Sequence, residues 1–365
     1  MQENIQIIAQ NAARNHTAGF DAQSGSVAVL DIRNGDTLAL ASYPSFSLAN
    51  FNQDYQELYE DPLKPMFDRA LSGGYEPGST FKMLTAVAGL ETGAITKDTK
   101  VTCTGIYQYY APSYTPKCWV YNDYGTTHGT LNVRQAIEKS CNIFFFETGR
   151  LTGIDALNRF AKMFGFGSYT GIELGGESKG VLAGRENNEK NGKPWYDGDT
   201  IQAAIGQSDN LFTPLQLANY VATIANGGHH NQVHILKEAK DYKTGRTIYK
   251  PELQSEDLGI SPSTIDIVID GMRKVTEDGT ASSVFVNYPI SVAGKTGTAQ
   301  VSSGSSNGVF VAFAPADDPQ IAIAIVIEHG AHGNWAANIA KDIMDVYFSG
   351  DFEGERVAAN YSLLP

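Results

Sequence analysis

The stretch SVAVLDIRNGDTLALASYP, residues 26–44, carries two β-rich runs on either side of Asn34-Gly35. An Asn-Gly pair favours a two-residue type I′ turn, so the sequence predicts a β-hairpin here. A second hairpin is predicted late in the chain, where GVFVAFAPADDPQIAIAIVIEHG, residues 308–330, has two apolar runs joined by a polar turn. We therefore expect an antiparallel sheet built from both ends of the sequence.

The segments between the two hairpins are helical in pattern. Apolar residues recur at three- and four-residue spacing in residues 81–90, 131–139, 154–164 and 214–225. A further helix is predicted over residues 334–348, after the second hairpin. The predicted fold class is α+β, an antiparallel sheet flanked by helices with a largely helical second lobe. A cleft between the two lobes is the expected place for a functional site.

Length and charge restrict the possible functions. The chain has 365 residues and a formal net charge of -13. This acidity disfavours nucleic acid and anionic membrane surfaces as partners, whereas a basic or zwitterionic substrate remains compatible. The sequence has no run of about 18 apolar residues that could span a membrane. As given, the chain is expected to be soluble.

The sequence EPGSTFK, residues 76–82, places Ser79 and Lys82 one turn apart at the start of a predicted helix. A partly desolvated lysine amine can lose its proton near neutral pH and accept the serine proton, which makes the hydroxyl a nucleophile. The helix N-terminus adds positive potential where an oxyanion would form. A lone S-x-x-K pattern is more often a helix cap beside a solvated lysine.

Two further motifs favour the catalytic interpretation. Ser140 and Asn142 flank Cys141 between two predicted helices, where a turning backbone can bring both side chains to the cleft. The motif AGKTGT, residues 293–298, lies on a predicted strand and offers Lys295 with Thr296 and Thr298 to a substrate carboxylate. Gly297 would let the substrate backbone approach closely. The order S-x-x-K, S-x-N, K-T-G, with gaps of about 60 and 155 residues, is a strong combined signal.

With these motifs, and with GYEPGSTFK, TGIELGGE, GDTIQAAIGQ and VAGKTGTAQ, nearly the whole chain resembles the transpeptidase domain of class B penicillin-binding proteins. The serine beta-lactamase/transpeptidase fold is therefore expected. TGIELGGE and GDTIQAAIGQ resemble the elongation-type, penicillin-binding protein 2-like subgroup, which serves cell shape. Relatives usually have glycine where this chain has Ser208 and Pro-Gly-Glu where it has Gly175-Gly176-Glu177.

The resemblance implies a role for each motif residue. Ser79 would be acylated by the penultimate D-alanine of a peptidoglycan stem peptide, with Lys82 as its general base. Ser140 would relay the proton to the leaving amine, Asn142 would hold the donor amide, and Lys295 would set the protonation of its neighbours. Thr296, Gly297 and Thr298 would bind the substrate, with an oxyanion hole formed by the N–H groups of Ser79 and Thr298. No cofactor is needed for this chemistry.

Partners and location follow from the same resemblance. The implied ligands are a D-Ala-D-Ala donor, an amine acceptor and beta-lactam antibiotics, with a glycosyltransferase as cellular partner and no nucleic acid. Residues 1–20 resemble the end of a linker from an upstream pedestal, which implies a piece of a protein anchored at the outer face of the cytoplasmic membrane. Residues 21–350 form the expected domain, with a sheet lobe (21–70 and 260–350) and a helical lobe (71–259). Residues 351–365 are an expected tail.

The three cysteines, Cys103, Cys118 and Cys141, are clustered in the sequence with His128 among them. Three sulfur ligands and one imidazole make the set of a tetrahedral structural zinc site, as some elongation-type relatives have in this region. A disulfide between Cys103 and Cys118 and a set of buried free thiols are the alternatives. Any metal here would be structural, since Ser79 and Lys82 already supply a nucleophile and a base.

Three functions fit these motifs. The first is a serine D,D-transpeptidase of cell-wall synthesis. A beta-lactamase or D,D-carboxypeptidase shares the motifs but needs fast deacylation by water, and a non-catalytic beta-lactam sensor would be acylated and stop there. The lifetime of the acyl-enzyme and activity on a stem peptide separate the three.

Overall fold

The computed structural model describes residues 1–19, 22–299, 304–330 and 333–350. In chain order the strands are β1 Ser24–Asp31, β2 Thr37–Tyr43, β3 Val101–Cys103, β4 Gly129–Leu131, β5 His229–Asn231, β6 Ala239–Lys240, β7 Thr247–Tyr249, β8 Ser255–Asp257, β9 Ala293–Ala299, β10 Asn307–Ala314 and β11 Ile321–Glu328. The helices are α1 Glu3–Gly19, α2 Phe51–Glu60, α3 Lys82–Glu91, α4 Trp119–Tyr124, α5 Val133–Glu138, α6 Asn142–Thr152, α7 Ile154–Met163, α8 Arg185–Lys190, α9 Asp197–Ala203, α10 Pro214–Ala225, α11 Pro262–Glu277, α12 Ser282–Phe285 and α13 Gly333–Ser349. A 3-10 turn, Gly78–Phe81, leads directly into α3.

The principal sheet has five strands in the order β2-β1-β11-β10-β9, and neighbouring strands are antiparallel. Strand β1 lies between its hairpin partner β2 and the late strand β11, so Ala28 is opposite both Leu40 and Ala324. Strand β9, which carries the K-T-G motif, forms one edge. The structure confirms the α+β class and the sheet assembled from both ends of the chain.

The centre of the sheet is covered on both faces. Every residue of β1 and β10 is buried, so neither strand has the alternation of buried and exposed residues that a half-exposed sheet shows. Helices α1 and α13 pack on each other and on the sheet, and α10 packs against β1, β10 and β11. Although α10 lies within the predicted helical lobe, it belongs to the core of the sheet.

The type I′ turn predicted at Asn34-Gly35 is wrong, although the hairpin itself forms. Of these two residues only Gly35 has a positive φ, at 78°, and β2 begins two residues later. A side chain on Gly35 would lie 2.3 Å from the Gln232 carbonyl oxygen, and the Thr37 N–H donates to the His234 carbonyl at 2.9 Å. Packing against this distant segment, rather than the local Asn-Gly pair, determines the conformation of the loop.

Residues 3–19, expected to be the end of a linker, form α1. Its buried residues include Ile5, Ala9 and Ala12, and it packs on β2 and α13. This helix therefore belongs to the packed body of the domain. Across the described ranges, no helix is both long and apolar enough to cross a membrane. The expected tail, residues 351–365, lies outside the described residues.

Candidate active site

Ser79 lies in the 3-10 turn, half-buried, on the wall of a cleft of about 890 Å³. The turn is fixed by close backbone contacts. Gly78 has a φ of 52°, and its N–H donates to the Gly206 carbonyl at 2.9 Å. A side chain on Gly78 would lie 2.9 Å from the Thr298 carbonyl oxygen. Glycine is therefore required immediately before the nucleophile candidate, both for its conformation and for lack of space.

Lys82, the first residue of α3, is fully buried. Its Nζ donates to the Ser140 carbonyl at 2.8 Å, to Ser140 Oγ at 3.2 Å and to Asn142 Oδ1 at 2.6 Å. The sequence predicted a direct contact between this amine and the Ser79 hydroxyl. In the structure the Ser79 side chain makes no hydrogen bond with Lys82 or any other described residue, and Lys82 points to the S-x-N motif.

Ser140 follows α5 in a left-handed conformation, with a φ of 53°. The Cys141 N–H donates to the Ala136 carbonyl at 3.0 Å and the Ser140 N–H to the Ile137 carbonyl at 3.1 Å, the two bonds of a Schellman motif. That position normally holds glycine because a side chain is strained there. This turn brings Ser140 and Asn142 to the same amine.

Lys295, on β9, is also fully buried, and its Nζ donates to Ser140 Oγ and to the Thr296 carbonyl, both at 2.9 Å. The Ser140 hydroxyl oxygen therefore accepts from two lysines. No carboxylate forms an ion pair with either lysine among the residues that the structure describes. Because two adjacent ammonium groups without a counter-charge repel each other and are poorly solvated, this arrangement favours loss of a proton.

The pKa values of the two lysines follow this reasoning. Burial lowers the pKa of Lys82 to about 8, against a smaller opposing electrostatic effect of Cys118 and Cys141. Burial, together with the positive charge of Lys82, holds the pKa of Lys295 well below its ordinary value. The site can therefore hold a neutral amine near neutral pH, which is the requirement for a general base.

On β9, Thr296 and Thr298 line the cleft beside Ser79. The Thr296 hydroxyl also bonds to the Thr280 hydroxyl at 2.5 Å. Gly297 also has a structural role. A side chain there would lie 2.8 Å from the Pro77 carbonyl oxygen, so glycine allows the nucleophile turn to approach the strand.

The loop containing Ser208 packs beside the nucleophile turn. Ser208 has a φ of 68°, a left-handed conformation that favours glycine. Burial and the neighbouring charge of Asp209 raise the pKa of Glu76 to about 7. Neither Glu76 nor Asp209 is among the described residues that line the cleft.

One wall of the cleft was not foreseen from the sequence. Helix α4 contributes four residues to this wall, Trp119, Asn122, Asp123 and Tyr124. Trp335 of α13 also lines the cleft. The only sequence signal was the position of α4 between Cys118 and His128, two members of the cysteine cluster. A six-residue helix gives too short a pattern to be identified with a cleft.

The cysteine cluster lies next to this wall. The ligand atoms of Cys103, Cys118, His128 and Cys141 all lie within 4.8 Å of one another, and all three cysteines are buried. The thiols are free, so the predicted disulfide alternative is wrong in this structure. Hydrogen bonds from Cys103 and Cys141 lower the pKa of Cys118, whereas hydrogen bonds with Cys103 and Cys118 raise the pKa of Cys141. A buried, partly anionic sulfur cluster suits a soft cation.

Comparisons with known proteins agree with the resemblance drawn from the motifs. The family profile described as "Penicillin binding protein transpeptidase domain" matches residues 25–345. Peptidoglycan D,D-transpeptidase MrdA of Acinetobacter baumannii is 34% identical over 345 residues, which cover 88% of this chain and 50% of that protein. The chain thus spans about half the length of the curated relatives that it matches.

Two solved structures are similar over almost the whole chain. Pseudomonas aeruginosa PBP2 in complex with WCK 5153 has a TM-score of 0.81 and 33% identity, covering 98% of this chain and 80% of that one. A chain described under "structural coordination of polymerization and crosslinking by a peptidoglycan synthase complex" has a TM-score of 0.84 and 28% identity, covering 97% and 63%.

Proposed function

This chain belongs to the penicillin-binding protein transpeptidase domain family, and on that premise we propose that it is a serine D,D-transpeptidase that cross-links peptidoglycan stem peptides. The observation that carries the proposal is the Ser140 hydroxyl, which accepts hydrogen bonds from two buried lysines beside the Ser79 turn. No cofactor takes part in the proposed chemistry.

Acylation begins with attack of Ser79 Oγ on the carbonyl carbon of the penultimate D-alanine. The bond to the nitrogen of the terminal D-alanine breaks, and the serine proton ends on that nitrogen as the free amino acid leaves. The N–H groups of Ser79 and Thr298 are the proposed donors to the oxyanion, and Thr296 and Thr298 are the proposed carboxylate site. An acceptor amine then attacks the ester, forms the cross-link and restores the hydroxyl.

The hydrogen bonds of Lys82 suggest how the proton travels. A charged Lys82 has three N–H donors, which match its three acceptors on Ser140 and Asn142. A neutral Lys82 has only two and a lone pair, so one partner must become a donor. Ser140 can donate to that lone pair while Lys295 donates to Ser140. We propose this hydroxyl as the relay between Lys82 and the leaving amine.

The direct test is intact mass spectrometry before and after incubation with benzylpenicillin. We expect one adduct, mapped to Ser79, that persists for minutes or longer and is lost in Ser79→Ala. The Ser72→Ala variant is the matched control, because Ser72 lies outside the cleft lining. An adduct that persists in Ser79→Ala would refute the assignment of the nucleophile.

The lifetime of the adduct separates the alternatives. Rapid turnover of penicillin would favour a beta-lactamase, and hydrolysis of D-Ala-D-Ala without transfer would favour a D,D-carboxypeptidase. A stable adduct without any reaction on a stem peptide would favour a sensor.

We also propose that Cys103, Cys118, His128 and Cys141 hold a structural zinc ion. The support is the chemistry and proximity of the donor set, in which Cys118 Sγ lies 3.4 Å from His128 Nδ1. Cys118 immediately precedes α4 and Cys141 immediately precedes α6, so the ion would join the cleft wall to the S-x-N motif. Bound zinc and free thiols measured before and after chelation test this: one zinc per chain with three thiols released supports it.

The proposed cellular setting is the outer face of the cytoplasmic membrane. The resemblance of TGIELGGE and GDTIQAAIGQ to the elongation-type subgroup, together with the similarity to peptidoglycan D,D-transpeptidases, supports an elongation role in maintaining cell shape. The similarity to a chain from a peptidoglycan synthase complex supports a glycosyltransferase partner. The net charge of -13 argues against nucleic acid as a further partner.

A further inference from the structure

The cleft has two chemically different walls. The β9 wall presents the hydroxyls of Thr296 and Thr298, which suit a carboxylate. The α4 wall presents Asp123, the only carboxylate among the described residues that line the cleft. Asp123 is exposed and forms no ion pair with any described residue. Lys117 also lines the cleft, but its Nζ lies 5.8 Å from the centre of the Tyr121 ring and forms no ion pair with Asp123, so this carboxylate is available to a ligand that carries a positive charge.

Helix α4 also places an aromatic side chain, that of Trp119, on the same side as Asp123. Trp119 and Asp123 are four residues apart, so they lie on the same side of the helix, one turn apart. Trp119 and Tyr124 rings contact each other with centroids 6.3 Å apart. A carboxylate beside an aromatic surface is a favourable environment for an ammonium group, through ion pairing and cation–π attraction together.

The α4 wall is braced, and it is joined to the catalytic motif. The Trp119 indole N–H donates to the Lys139 carbonyl at 3.1 Å, and its ring lies 5.7 Å from the His128 ring. The Asn142 amide donates to the Lys117 carbonyl at 3.4 Å, one residue before Cys118. The wall that carries Asp123 therefore adjoins the S-x-N motif, whose Asn142 also contacts Lys82.

We propose that Asp123, with Trp119, forms the binding site for the acceptor, a stem peptide whose free primary amine arrives as an ammonium group. This inference rests on the proposed transpeptidase function and assigns residues of this chain to acceptor binding in its second step. Asp123 pairs with the incoming cation, the ammonium group releases one proton to solvent, and the resulting amine attacks the carbonyl carbon of the Ser79 ester. The second proton of the amine passes to Ser79 Oγ as the ester bond breaks. The new amide bond replaces the ester bond, and Ser79 regains its hydroxyl.

The test separates the two half-reactions. Wild type, Asp123→Asn, Asp123→Lys and the control Asp98→Asn are compared for acylation by benzylpenicillin and for transfer from a D-Ala-D-Ala donor peptide. Asp98 is an exposed carboxylate outside the described cleft lining. Two acceptors are used. One is a short peptide with a free lysine side-chain amine, and the other is hydroxylamine, which is uncharged at neutral pH.

For the lysine acceptor we expect KM to rise about fivefold in Asp123→Asn, the magnitude of an exposed ion pair. In Asp123→Lys, like-charge repulsion should raise KM further, to roughly twentyfold. Transfer to hydroxylamine and the rate of penicillin acylation should change less than about twofold, because neither involves a cation on this wall. Asp98→Asn should match wild type throughout.

Several outcomes would overturn the proposal. An unchanged lysine-acceptor KM in both Asp123 variants would exclude a role in acceptor binding. An equal loss with hydroxylamine, or a slower acylation, would assign Asp123 to the donor site or to folding. A longer-lived penicillin adduct in Asp123→Asn would assign it to the activation of water. If the wild type is not acylated at Ser79, the proposed function itself fails, which is a different result from any of these.

Discussion

Two regions of the molecule bury basic side chains, one with a carboxylate partner and the other without one. Arg69 donates to the Glu328 carboxylate at 3.0 Å and to the carbonyls of Leu63 and Lys64, while Tyr75 also donates to Glu328, at 2.6 Å. Lys82 and Lys295, by contrast, are buried against each other and Ser140 with no carboxylate partner. A paired buried cation keeps its charge and holds structure, whereas an unpaired one loses charge and becomes available for chemistry.

Glu328, the carboxylate partner of Arg69, is held in its ionised form. Burial tends to raise the pKa of Glu328, but hydrogen bonds from Ser24 and Tyr75 and the charge of Arg69 outweigh it and lower the pKa. Glu328 therefore stays ionised. This network joins β1, the end of β11 and the segment that leads through Tyr75 to the Ser79 turn.

The largest effect is expected when an unpaired lysine is removed. In Lys82→Met, acylation by benzylpenicillin should slow by about 10³-fold or more, the contribution of a general base. The free energy of unfolding should not fall, because an apolar side chain of similar size replaces a buried amine. Labelled-penicillin kinetics and urea unfolding measure both. Lys97→Met, at an exposed position, is the control, and a Lys82 variant that keeps its acylation rate would contradict the proposed base.

Removing the carboxylate partner of Arg69 should lower stability and leave the acylation rate almost unchanged, the reverse of the result expected for Lys82→Met. Glu328→Ala leaves the Arg69 guanidinium buried without its carboxylate, so we expect the free energy of unfolding to fall by about 3 kcal/mol. The acylation rate of the fraction that remains folded should change little, since neither residue lines the cleft. Glu328→Gln keeps the volume and an acceptor for Tyr75 and should lose less. A stability loss below about 1 kcal/mol would mean that the pair is not the stabilising element.

The pH dependence of acylation reports the charge state of the two buried lysines. The neutral amine is the active base, and the pKa of Lys82 is lowered to about 8. The acylation rate should therefore rise about tenfold per pH unit below this value and level off above it. The measured midpoint belongs to the coupled lysine pair rather than to one residue. A rate that is flat between pH 6 and pH 8 would show that the base is already neutral throughout that range.

The smallest expected effect concerns the strain at Ser140. Ser140→Ala and Ser140→Gly both remove the relay hydroxyl and should slow acylation to a similar extent. Glycine also relieves the left-handed conformation, so the glycine variant should be more stable than the alanine variant by about 1 kcal/mol. Urea unfolding of the pair gives this difference. Equal stabilities would mean that the turn relaxes when the hydroxyl is lost.

The sequence by itself determined the features that depend on local chemistry. The apolar runs at both ends predict the hairpins, and the three motifs, with their order and spacing, predict the family, because such short segments keep their chemistry wherever the chain places them. Residue type alone also predicted the four candidate zinc ligands, Cys103, Cys118, His128 and Cys141, but it did not predict how close together they lie.

Only the tertiary structure decided which of these groups meet. The loop at Gly35 depends on Gln232 and His234. Gly297 lies against Pro77, and Lys82 donates to Ser140 rather than Ser79. The α4 wall with Asp123 has no pattern in the sequence that marks it as part of a cleft. The physical reason is common to all four: each depends on contacts between residues far apart in the chain, and local sequence carries no record of the partner.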